Sequence, residues 1–273
     1  MGHPALIVHG GAGAVPVAER PLRQAAVDRA LAVGWEHIGE CALAAAVAAV
    51  RHLEDEPLLN AGIGACLNLE GEVELDAGVM EGADLRAGGV AAVRNVRHPV
   101  DLAVEVMREG RHVLLAGDGA SRFAQVHGVE MCDPSIFIID RERQQRGQGA
   151  DTVGAVARDS DGRLAVAVST GGVHNKWPGR IGDSPIPGAG FFADDRFGAV
   201  CGTGQGEAFM RLALCRVMVV ELQHGMDPAA VAKGAVELLS TSMKSVGGVI
   251  VLGREGSPQA AFNTPAMPFA VAE

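Results

Sequence analysis

The chain has 273 residues, of which 48% are apolar and 21% charged, and its formal net charge is −10. This length fits one or two domains, and the apolar fraction is that of a globular protein, which excludes collagen-like and largely disordered chains. The acidic balance, without a long cluster of lysine or arginine, argues against a nucleic-acid partner.

Membrane and metal signals are both weak. The longest wholly apolar run, residues 41–50, covers about half of the roughly 20 residues that cross a bilayer, and no signal peptide or membrane partner is predicted. The five cysteines are odd in number and lack C-x-x-C spacing, and only His37 and Cys41 share a helical i, i+4 spacing. These patterns argue against a disulfide framework and a zinc site and favour a reducing cytoplasm.

The first half of the chain mixes strand and helix patterns. Apolar residues recur at helical spacing in some segments and alternate with polar or glycine residues in others. The predicted elements, in chain order, are a strand at 6–8, helices at 22–33 and 42–53, strands at 73–79 and 88–93, and helices at 99–107 and 116–126. Residues 60–64 interrupt this pattern and are predicted to form a turn.

The second half begins with a change in composition. Residues 132–150 contain the densest charged stretch and predict a solvated, mobile linker. The elements that follow are a strand hairpin at 153–158 and 164–169, a glycine-rich loop at 170–188, a strand at 199–201, helices at 210–222 and after Asp227-Pro228, and strands at 249–252 and 259–262. Hairpins alternating with helix pairs favour a largely antiparallel sheet layered by helices.

Three small-residue clusters are centred on threonines at predicted strand ends. They lie around Thr152, Thr170 and Thr203. Glycine-rich strand ends let backbone amides approach a ligand, and a threonine hydroxyl can act as nucleophile or donor. Because threonine is also a good strand residue and glycine a turn former, composition alone favours a structural role.

A fourth cluster combines opposite charges in one glycine-rich loop, Arg180 to Pro185. Arg180 could hold the carboxylate of an amino acid, and Asp183 its ammonium group. A surface salt bridge is the alternative interpretation.

Together these motifs resemble the isoaspartyl peptidase and plant-type L-asparaginase family. The matching segments are 9–13 (HGGAG), 53–62, 71–77, 151–157, 169–172, 179–185 and 202–204, in the family's order and across nearly the whole chain. The resemblance implies an N-terminal-nucleophile hydrolase, with one domain over 1–273 and an α+β, four-layer αββα sandwich fold.

The family is made as a precursor that cleaves itself before a threonine. The matching bond is Asp151–Thr152, which would give an α chain of residues 1–151 and a β chain of 152–273, with the segment 141–150 as a free tail. An N-terminal threonine carries an α-amine with a reference pKa of about 7.7 to 8.0, so Thr152 would supply both nucleophile and base without a histidine.

The remaining catalytic roles come from the resemblance. Thr170 is expected to hydrogen-bond the Thr152 hydroxyl, Thr203 and the Gly204 N–H to stabilise the oxyanion, and Asn60 to support the nucleophile.

The resemblance also implies the substrate, the assembly and an ion. Arg180 would bind the α-carboxylate, and Asp183 with the Gly206 carbonyl the α-ammonium, of L-asparagine or a β-aspartyl dipeptide; two αβ units would form a homodimer. No organic cofactor is implied, but a sodium ion held by main-chain carbonyls is. The matching positions are Leu53, Glu54, Glu56, Leu59, Ala61 and Ile63. From spacing alone this loop is a turn.

Three alternatives stay open. Asp151 before Thr152 resembles the junction of glycosylasparaginases, although Gly171 matches the asparaginase form better. A non-cleaving amino-acid-binding protein would keep the Arg180 and Asp183 pair. A cysteine hydrolase using Cys66 or Cys201 lacks a histidine partner recognisable in the sequence.

Overall fold

Eleven strands and eight α-helices form within residues 3–144 and 152–273, the parts of the chain that the computed structural model describes. The strands are β1 (Ala5–His9), β2 (Leu75–Glu81), β3 (Ala87–Val93), β4 (Leu114–Ala116), β5 (Val153–Arg158), β6 (Leu164–Thr170), β7 (Phe191–Asp194), β8 (Gly198–Gly204), β9 (Gly247–Gly253), β10 (Gln259–Phe262) and β11 (Phe269–Ala272). The helices are α1 (Arg20–Glu36), α2 (Ala42–Glu54), α3 (Pro99–Glu109), α4 (Gly117–Val126), α5 (Asp140–Gln144), α6 (Gly206–Leu212), α7 (Leu214–Gln223) and α8 (Pro228–Met243).

The strands form two sheets. One has seven strands in the order β11-β1-β5-β6-β2-β3-β4, and the other has four in the order β10-β9-β8-β7. All neighbours are antiparallel except β3 and β4. This confirms the antiparallel character predicted from the hairpins.

Three apolar clusters hold four layers together. Residues of α1, α2 and α3 pack against the seven-stranded sheet. The inner faces of the two sheets pack against each other through side chains such as Ile7, Val166 and Phe191. Helices α7 and α8 cover the outer face of the four-stranded sheet. The predicted α+β, four-layer αββα sandwich is therefore confirmed.

The sequence explains why the helices pack closely. Alanines at helical spacing give α2 a narrow buried face, which includes Ala42, Ala45 and Ala49. Gly34 of α1 meets this face, where an added Cβ would lie 2.8 Å from the Ala45 carbonyl oxygen. At the start of α8, the predicted cap forms as Asp227 accepts N–H donors from the first turn.

Two predictions about elements are wrong. The single helix expected at 210–222 is broken at Ala213, whose φ of 47° separates α6 from α7. The linker expected at 132–150 is partly ordered: Phe137 is fully buried against Leu75, and α5 buries Glu142. Residues 145–151 lie outside the described residues. Within the described ranges, no helix is long and apolar enough to cross a membrane.

Candidate active site

The predicted nucleophile, Thr152, lies where strands of both sheets end. Val153 pairs with Ser169 across β5 and β6, and continuing this register by one residue sets Thr152 opposite Thr170. The Thr152 N–H donates to Thr203 Oγ1 of the other sheet at 3.1 Å. The fold thus brings the three threonine clusters to one end of the sandwich.

The Thr203 hydroxyl has a defined polarity. Its oxygen accepts N–H donors from Thr152 at 3.1 Å and from Ala12 at 3.2 Å, and the side chain is fully buried. A hydroxyl has two acceptor lone pairs and one donor hydrogen. Because both lone pairs face N–H groups, the Thr203 O–H is left as a donor for an oxygen atom in the site. This suits the oxyanion role predicted from the sequence.

Ser184 is a neighbour of the predicted nucleophile that the sequence does not reveal. Its hydroxyl oxygen lies 3.4 Å from Thr152 Oγ1, and the residue is buried. The only sequence signal was its place in the Arg180–Pro185 motif, since serine in such a loop is common. It is a positioning candidate for the Thr152 hydroxyl.

Asn60 connects the α2 side of the molecule to the strand end at Thr170. Its Nδ2 donates to the Gly172 carbonyl at 2.6 Å, and its Oδ1 accepts the Cys66 N–H at 2.8 Å. Thr170 Oγ1 accepts the Gly172 N–H at 3.0 Å. A Cβ on Gly171 would lie 2.5 Å from Asn60 Oδ1, so this approach requires glycine.

The predicted charge pair lies in what we name the ligand cluster, formed by Arg180, Asp183 and Glu207. Arg180 forms a bidentate ion pair with the Glu207 carboxylate, in which Nε and Nη2 each donate a hydrogen bond at 3.0 Å. A Cβ on Gly206 would lie 2.7 Å from Asp183 Oδ1 and 3.0 Å from Arg180 Nη2. The absent side chain of Gly206 therefore leaves space beside both charged groups.

Asp183 is buried with unmet hydrogen-bonding capacity. Among the described residues, its Oδ2 has no hydrogen-bond partner. Burial raises the pKa of Asp183 to about 7, against a smaller opposing effect of Arg180. A buried carboxylate next to open space is suited to an ammonium group, which would supply the missing donor.

A second set of charges, which we name the support cluster, consists of Glu74, Asp76 and Lys176. The Glu74 carboxylate accepts the Gly179 N–H, and the Asp76 carboxylate accepts the Gly182 N–H at 3.3 Å. Asp76 also accepts the Ala92 N–H at 2.8 Å, and Lys176 Nζ donates to the Glu74 carbonyl at 2.6 Å. These contacts hold the loop that carries Arg180 and Asp183.

The structure provides a histidine partner for the cysteine-hydrolase alternative but no reactive thiol. His9 Nε2 lies 3.2 Å from Cys201 Sγ, a pairing that the sequence did not reveal. Burial raises the pKa of the Cys201 thiol well above its usual value and lowers the pKa of His9 to about 3. The thiol therefore stays protonated, and Cys201 is a poor nucleophile.

The loop expected to wrap an ion is tightly curled by two glycines. A Cβ on Gly62, which has a φ of 51°, would lie 2.1 Å from the Glu54 carbonyl oxygen, and one on Gly64 would lie 2.0 Å from that of Leu59. The carbonyls of Glu56, Leu59 and Ala61 each accept a backbone N–H at 3.0–3.2 Å, and that of Leu53 accepts the Glu56 N–H and also faces the Asp55 N–H. Since a carbonyl has two lone pairs, an oxygen that accepts one N–H has a second lone pair suited to a hard cation.

The structure gathers Thr152, Thr170, Thr203 and Asn60 at one end of the sandwich, and Arg180, Asp183 and Gly206 beside one another. Gly204 follows Thr203 with a φ of 140°, and a Cβ there would lie 2.6 Å from Gly247 Cα. The catalytic and binding roles themselves stay predictions. The other residue of the predicted cleavage bond, Asp151, lies outside the described residues.

Comparisons with known proteins agree on one family. A family model described as asparaginase matches residues 2–149 and 141–273. An isoaspartyl peptidase from Escherichia coli (strain K12) is 39% identical, covering 98% of this chain and 92% of the relative. Isoaspartyl peptidase/L-asparaginases from Xenopus laevis and Mus musculus are 36% and 38% identical, covering 98% and 97% of this chain and 91% and 86% of the relatives.

Proposed function

The chain belongs to the asparaginase family of hydrolases, and from this premise we propose that it is an amidohydrolase activated by cleavage of its own Asp151–Thr152 bond. A single N-terminal-nucleophile domain, 1–273, becomes an α chain of 1–151 and a β chain of 152–273. The observation that carries this proposal is the buried contact of Thr152 N with Thr203 Oγ1 at 3.1 Å. It holds the future α-amine beside a polarised hydroxyl.

Maturation begins with attack of Thr152 Oγ1 on the Asp151 carbonyl carbon. Breaking the C–N bond transfers the acyl group from nitrogen to oxygen and leaves an ester. Water then hydrolyses the ester, which releases the Asp151 carboxylate and the Thr152 α-amine. Ser184, 3.4 Å from Thr152 Oγ1, is placed to orient the attacking hydroxyl.

The matured site repeats this chemistry on a substrate. The α-amine of Thr152, with a reference pKa of about 7.7 to 8.0, takes the Oγ1 proton as the oxygen attacks the substrate's side-chain carbonyl. The Thr203 O–H and the Gly204 N–H stabilise the oxyanion. Collapse expels ammonia or an amine that carries the transferred proton, and water cleaves the aspartyl ester to release L-aspartate.

The ligand cluster selects the substrate class. Arg180 binds the α-carboxylate, and Asp183 with the Gly206 carbonyl binds the α-ammonium of an aspartyl group. These contacts lie on the aspartyl side of the bond that breaks, so they fit both β-aspartyl dipeptides and L-asparagine. The names of the relatives, isoaspartyl peptidase and L-asparaginase, support the same two substrates.

A glycosylasparaginase activity is the second candidate, favoured by Asp151 before Thr152. Against it, a side chain at Gly171 would meet Ala65 Cβ and Asn60 Oδ1, both at 2.5 Å. The asparagine that glycosylasparaginases tend to carry at this position therefore has no room. Comparing hydrolysis of a glycosylated asparagine with that of a β-aspartyl dipeptide separates the two functions.

Intact mass spectrometry after incubation near neutral pH tests the proposal. We expect wild-type protein to give two fragments that meet between Asp151 and Thr152, whereas Thr152→Ala stays a single chain of 28.1 kDa. Thr241→Ala is the matched control, because Thr241 is exposed on α8, far along the chain from the site, and this variant is expected to cleave normally. Cleaved protein should release L-aspartate from a β-aspartyl dipeptide.

Other results would favour different functions. A wild-type chain that stays whole and binds L-aspartate without hydrolysing asparagine is the amino-acid-binding protein. Cleavage of the Thr152→Ala variant would exclude Thr152 as the nucleophile.

We also propose that the loop around Asn60 holds a sodium ion through the six carbonyls predicted for it. The crowding of carbonyl oxygens around Gly62 and Gly64 supports this, and the ion would supply only charge that keeps the loop curled. The measurement is thermal unfolding in sodium chloride against choline chloride. A higher Tm in sodium is expected, and equal values would exclude the ion.

The assembly and compartment remain part of the proposal. We propose a homodimer of αβ units, which sedimentation of the cleaved protein would test. The five cysteines, all within the described residues, form no disulfide, which supports a reducing cytoplasm as the site of action.

A further inference from the structure

Three chemically different ligand groups meet beside the candidate active site. They are the thiol of Cys66, the carboxylate of Glu142 and the imidazole of His174, and one atom of each lies within 4.8 Å of the other two. Cys66 follows the Asn60 turn, Glu142 lies in α5, and His174 lies in the loop after β6. The lack of C-x-x-C spacing and the scattered histidines predicted no zinc site, and these three residues lie too far apart in the chain to form a spacing motif.

The Glu142 carboxylate is fixed in a particular orientation. One oxygen, Oε1, accepts from the Arg141 guanidinium at 2.8 Å, and Arg141 is anchored in turn on the Leu58 carbonyl at 3.2 Å. The other oxygen, Oε2, points to His174 Nε2 at 3.4 Å. The Glu142 side chain is only 2% exposed, and beyond this ion-pair contact Oε2 has no hydrogen-bond partner in the described part of the chain.

A buried carboxylate oxygen in this state has unmet capacity that a ligand would satisfy. In tetrahedral zinc sites the metal–ligand bonds are about 2.0–2.3 Å, which sets ligand atoms roughly 3.3–3.7 Å apart. The separation of Glu142 Oε2 and His174 Nε2, 3.4 Å, already matches this spacing. Shifts of about 1 Å would bring the thiol into the same range.

We propose that Cys66, Glu142 and His174 form a binding site for a divalent transition metal of the zinc class. Sulfur and imidazole nitrogen favour such a metal over magnesium or calcium, and three protein ligands leave a fourth position for water. The thiol releases its proton on binding. Arg141 offsets part of the negative charge of the ligands.

A cysteine nucleophile activated by His174 fits the structure less well. Cys66 is only 2% exposed, so a peptide carbonyl could not approach its sulfur, whereas a metal ion could. The His174 side chain is 9% exposed and is the most accessible of the three ligands.

The metal site would connect two parts of the chain. Glu142 precedes the predicted cleavage bond, and His174 lies four residues after Thr170. Cys66 is also bonded through its N–H to Asn60 Oδ1 at 2.8 Å. A bound metal would therefore hold α5 against the loop next to the threonines, in the uncut chain as described.

Cobalt(II) titration of chelator-treated protein tests the proposal. We expect one equivalent to bind, with a near-ultraviolet charge-transfer band that reports a sulfur ligand, and zinc to displace it. The band should be absent in Cys66→Ser. Cys41→Ser is the matched control: Cys41 caps α2 through its sulfur, a role that serine fills well, and the band should persist.

A second variant keeps the test decisive if Cys66→Ser fails to fold. His174→Gln retains the thiol, and loss of a direct ligand should weaken cobalt binding by at least about tenfold. Absence of the band in wild-type protein, or its persistence in Cys66→Ser, would overturn the proposal, as would wild-type affinity in His174→Gln. No activity is measured, so the outcome is independent of the proposed function, and Thr152→Ala should bind cobalt as wild type does.

Discussion

The support cluster and the ligand cluster adjoin the same loop but differ in how their charges are satisfied. Glu74 and Asp76 each accept a backbone N–H of the loop, and Asp76 accepts a further one from Ala92. In the ligand cluster, Asp183 retains a buried oxygen without a partner among the described residues. Among the described residues, the support cluster leaves no buried side-chain oxygen without a partner, whereas the ligand cluster leaves Asp183 Oδ2, which the ammonium group of the proposed substrate would satisfy.

The pKa shifts of Glu74 and Asp183 follow this difference, whereas burial raises the pKa of Asp76 despite its hydrogen bonds from Ala92 and Gly182. Burial raises the pKa of Glu74, but hydrogen bonds from Arg94 and the Gly179 N–H outweigh it, so the net shift is downward. For Asp183, burial dominates and brings the pKa to about 7. Removing the Asp183 charge should therefore stabilise the ligand-free protein, whereas removing the Asp76 carboxylate takes the acceptor from two backbone N–H groups and should destabilise it.

The largest effect is expected at Arg180. Arg180→Leu should lower kcat/KM for L-asparagine by about 10²- to 10³-fold, because a buried carboxylate would lose its charged partner. 3-Aminopropanamide, which is asparagine without the α-carboxylate, provides the control. Wild type and variant should hydrolyse this compound at similar rates, and an equal loss on both substrates would show that Arg180 acts through the fold instead.

Asp183→Asn should lower the activity but raise the stability of the ligand-free protein. At pH 8 we expect kcat/KM for L-asparagine to fall by about 10²-fold, since the α-ammonium loses its counter-charge. In wild type, kcat/KM should rise with pH through about 7 as Asp183 ionises, and the variant should lose this component. Succinamic acid, which lacks the α-ammonium, is the control substrate and should not discriminate against the variant.

The same substitution should stabilise the ligand-free protein. The folded pKa of Asp183, about 7, lies above its usual value of 3.8, so the folded state binds more protons between these values and stability falls as pH rises through this window. Asparagine cannot ionise. Urea unfolding at pH 8 should therefore show a gain on the order of 1 to 4 kcal/mol, which disappears near pH 4. A loss at pH 8 would contradict the comparison.

Asp76→Ala should have the opposite effect on stability. The Ala92 and Gly182 N–H groups would lose their acceptor, at a cost of about 2–4 kcal/mol in the free energy of unfolding. Urea unfolding of this variant beside Asp183→Asn gives a direct contrast. Equal signs for the two variants would show that the clusters do not differ in the way described.

Glu207→Gln is expected to have the smallest effect. Glu207 is 52% exposed, and its carboxylate pairs with the Arg180 guanidinium. The α-carboxylate of the substrate would have to replace this carboxylate. An exposed pair of this kind contributes about 0.2–1 kcal/mol, so KM should fall by at most about fivefold with kcat unchanged. A rise in KM would instead assign Glu207 to substrate binding.

Much of the fold could be predicted from the sequence because its signals are local. The alanine face of α2, the Asp227 cap and the hairpin of β5 and β6 each depend on residues close together in the chain. The break at Ala213 had no glycine or proline to mark it. The four-residue strands β7 and β11 are too short for a reliable period, and the order of α5 depends on contacts distant in sequence.

The candidate site, like the fold, could be predicted only in part from the sequence. The residue types in the threonine clusters and the Arg180–Asp183 loop were recognisable as motifs. The unmet oxygen of Asp183, the approach of Ser184 to Thr152 and the pairing of His9 with Cys201 were not, since each arises only when segments far apart in the chain are packed together.

The most direct test of the central claim is to trap the intermediate on Thr152. Cleaved protein is mixed with a β-aspartyl dipeptide, quenched with acid within the first turnover, digested and analysed by mass spectrometry. We expect an aspartyl adduct on the peptide that begins with Thr152, removed by hydroxylamine as an ester would be. An adduct on Cys66, Cys201 or any other residue, with Thr152 unmodified during turnover, would contradict the account.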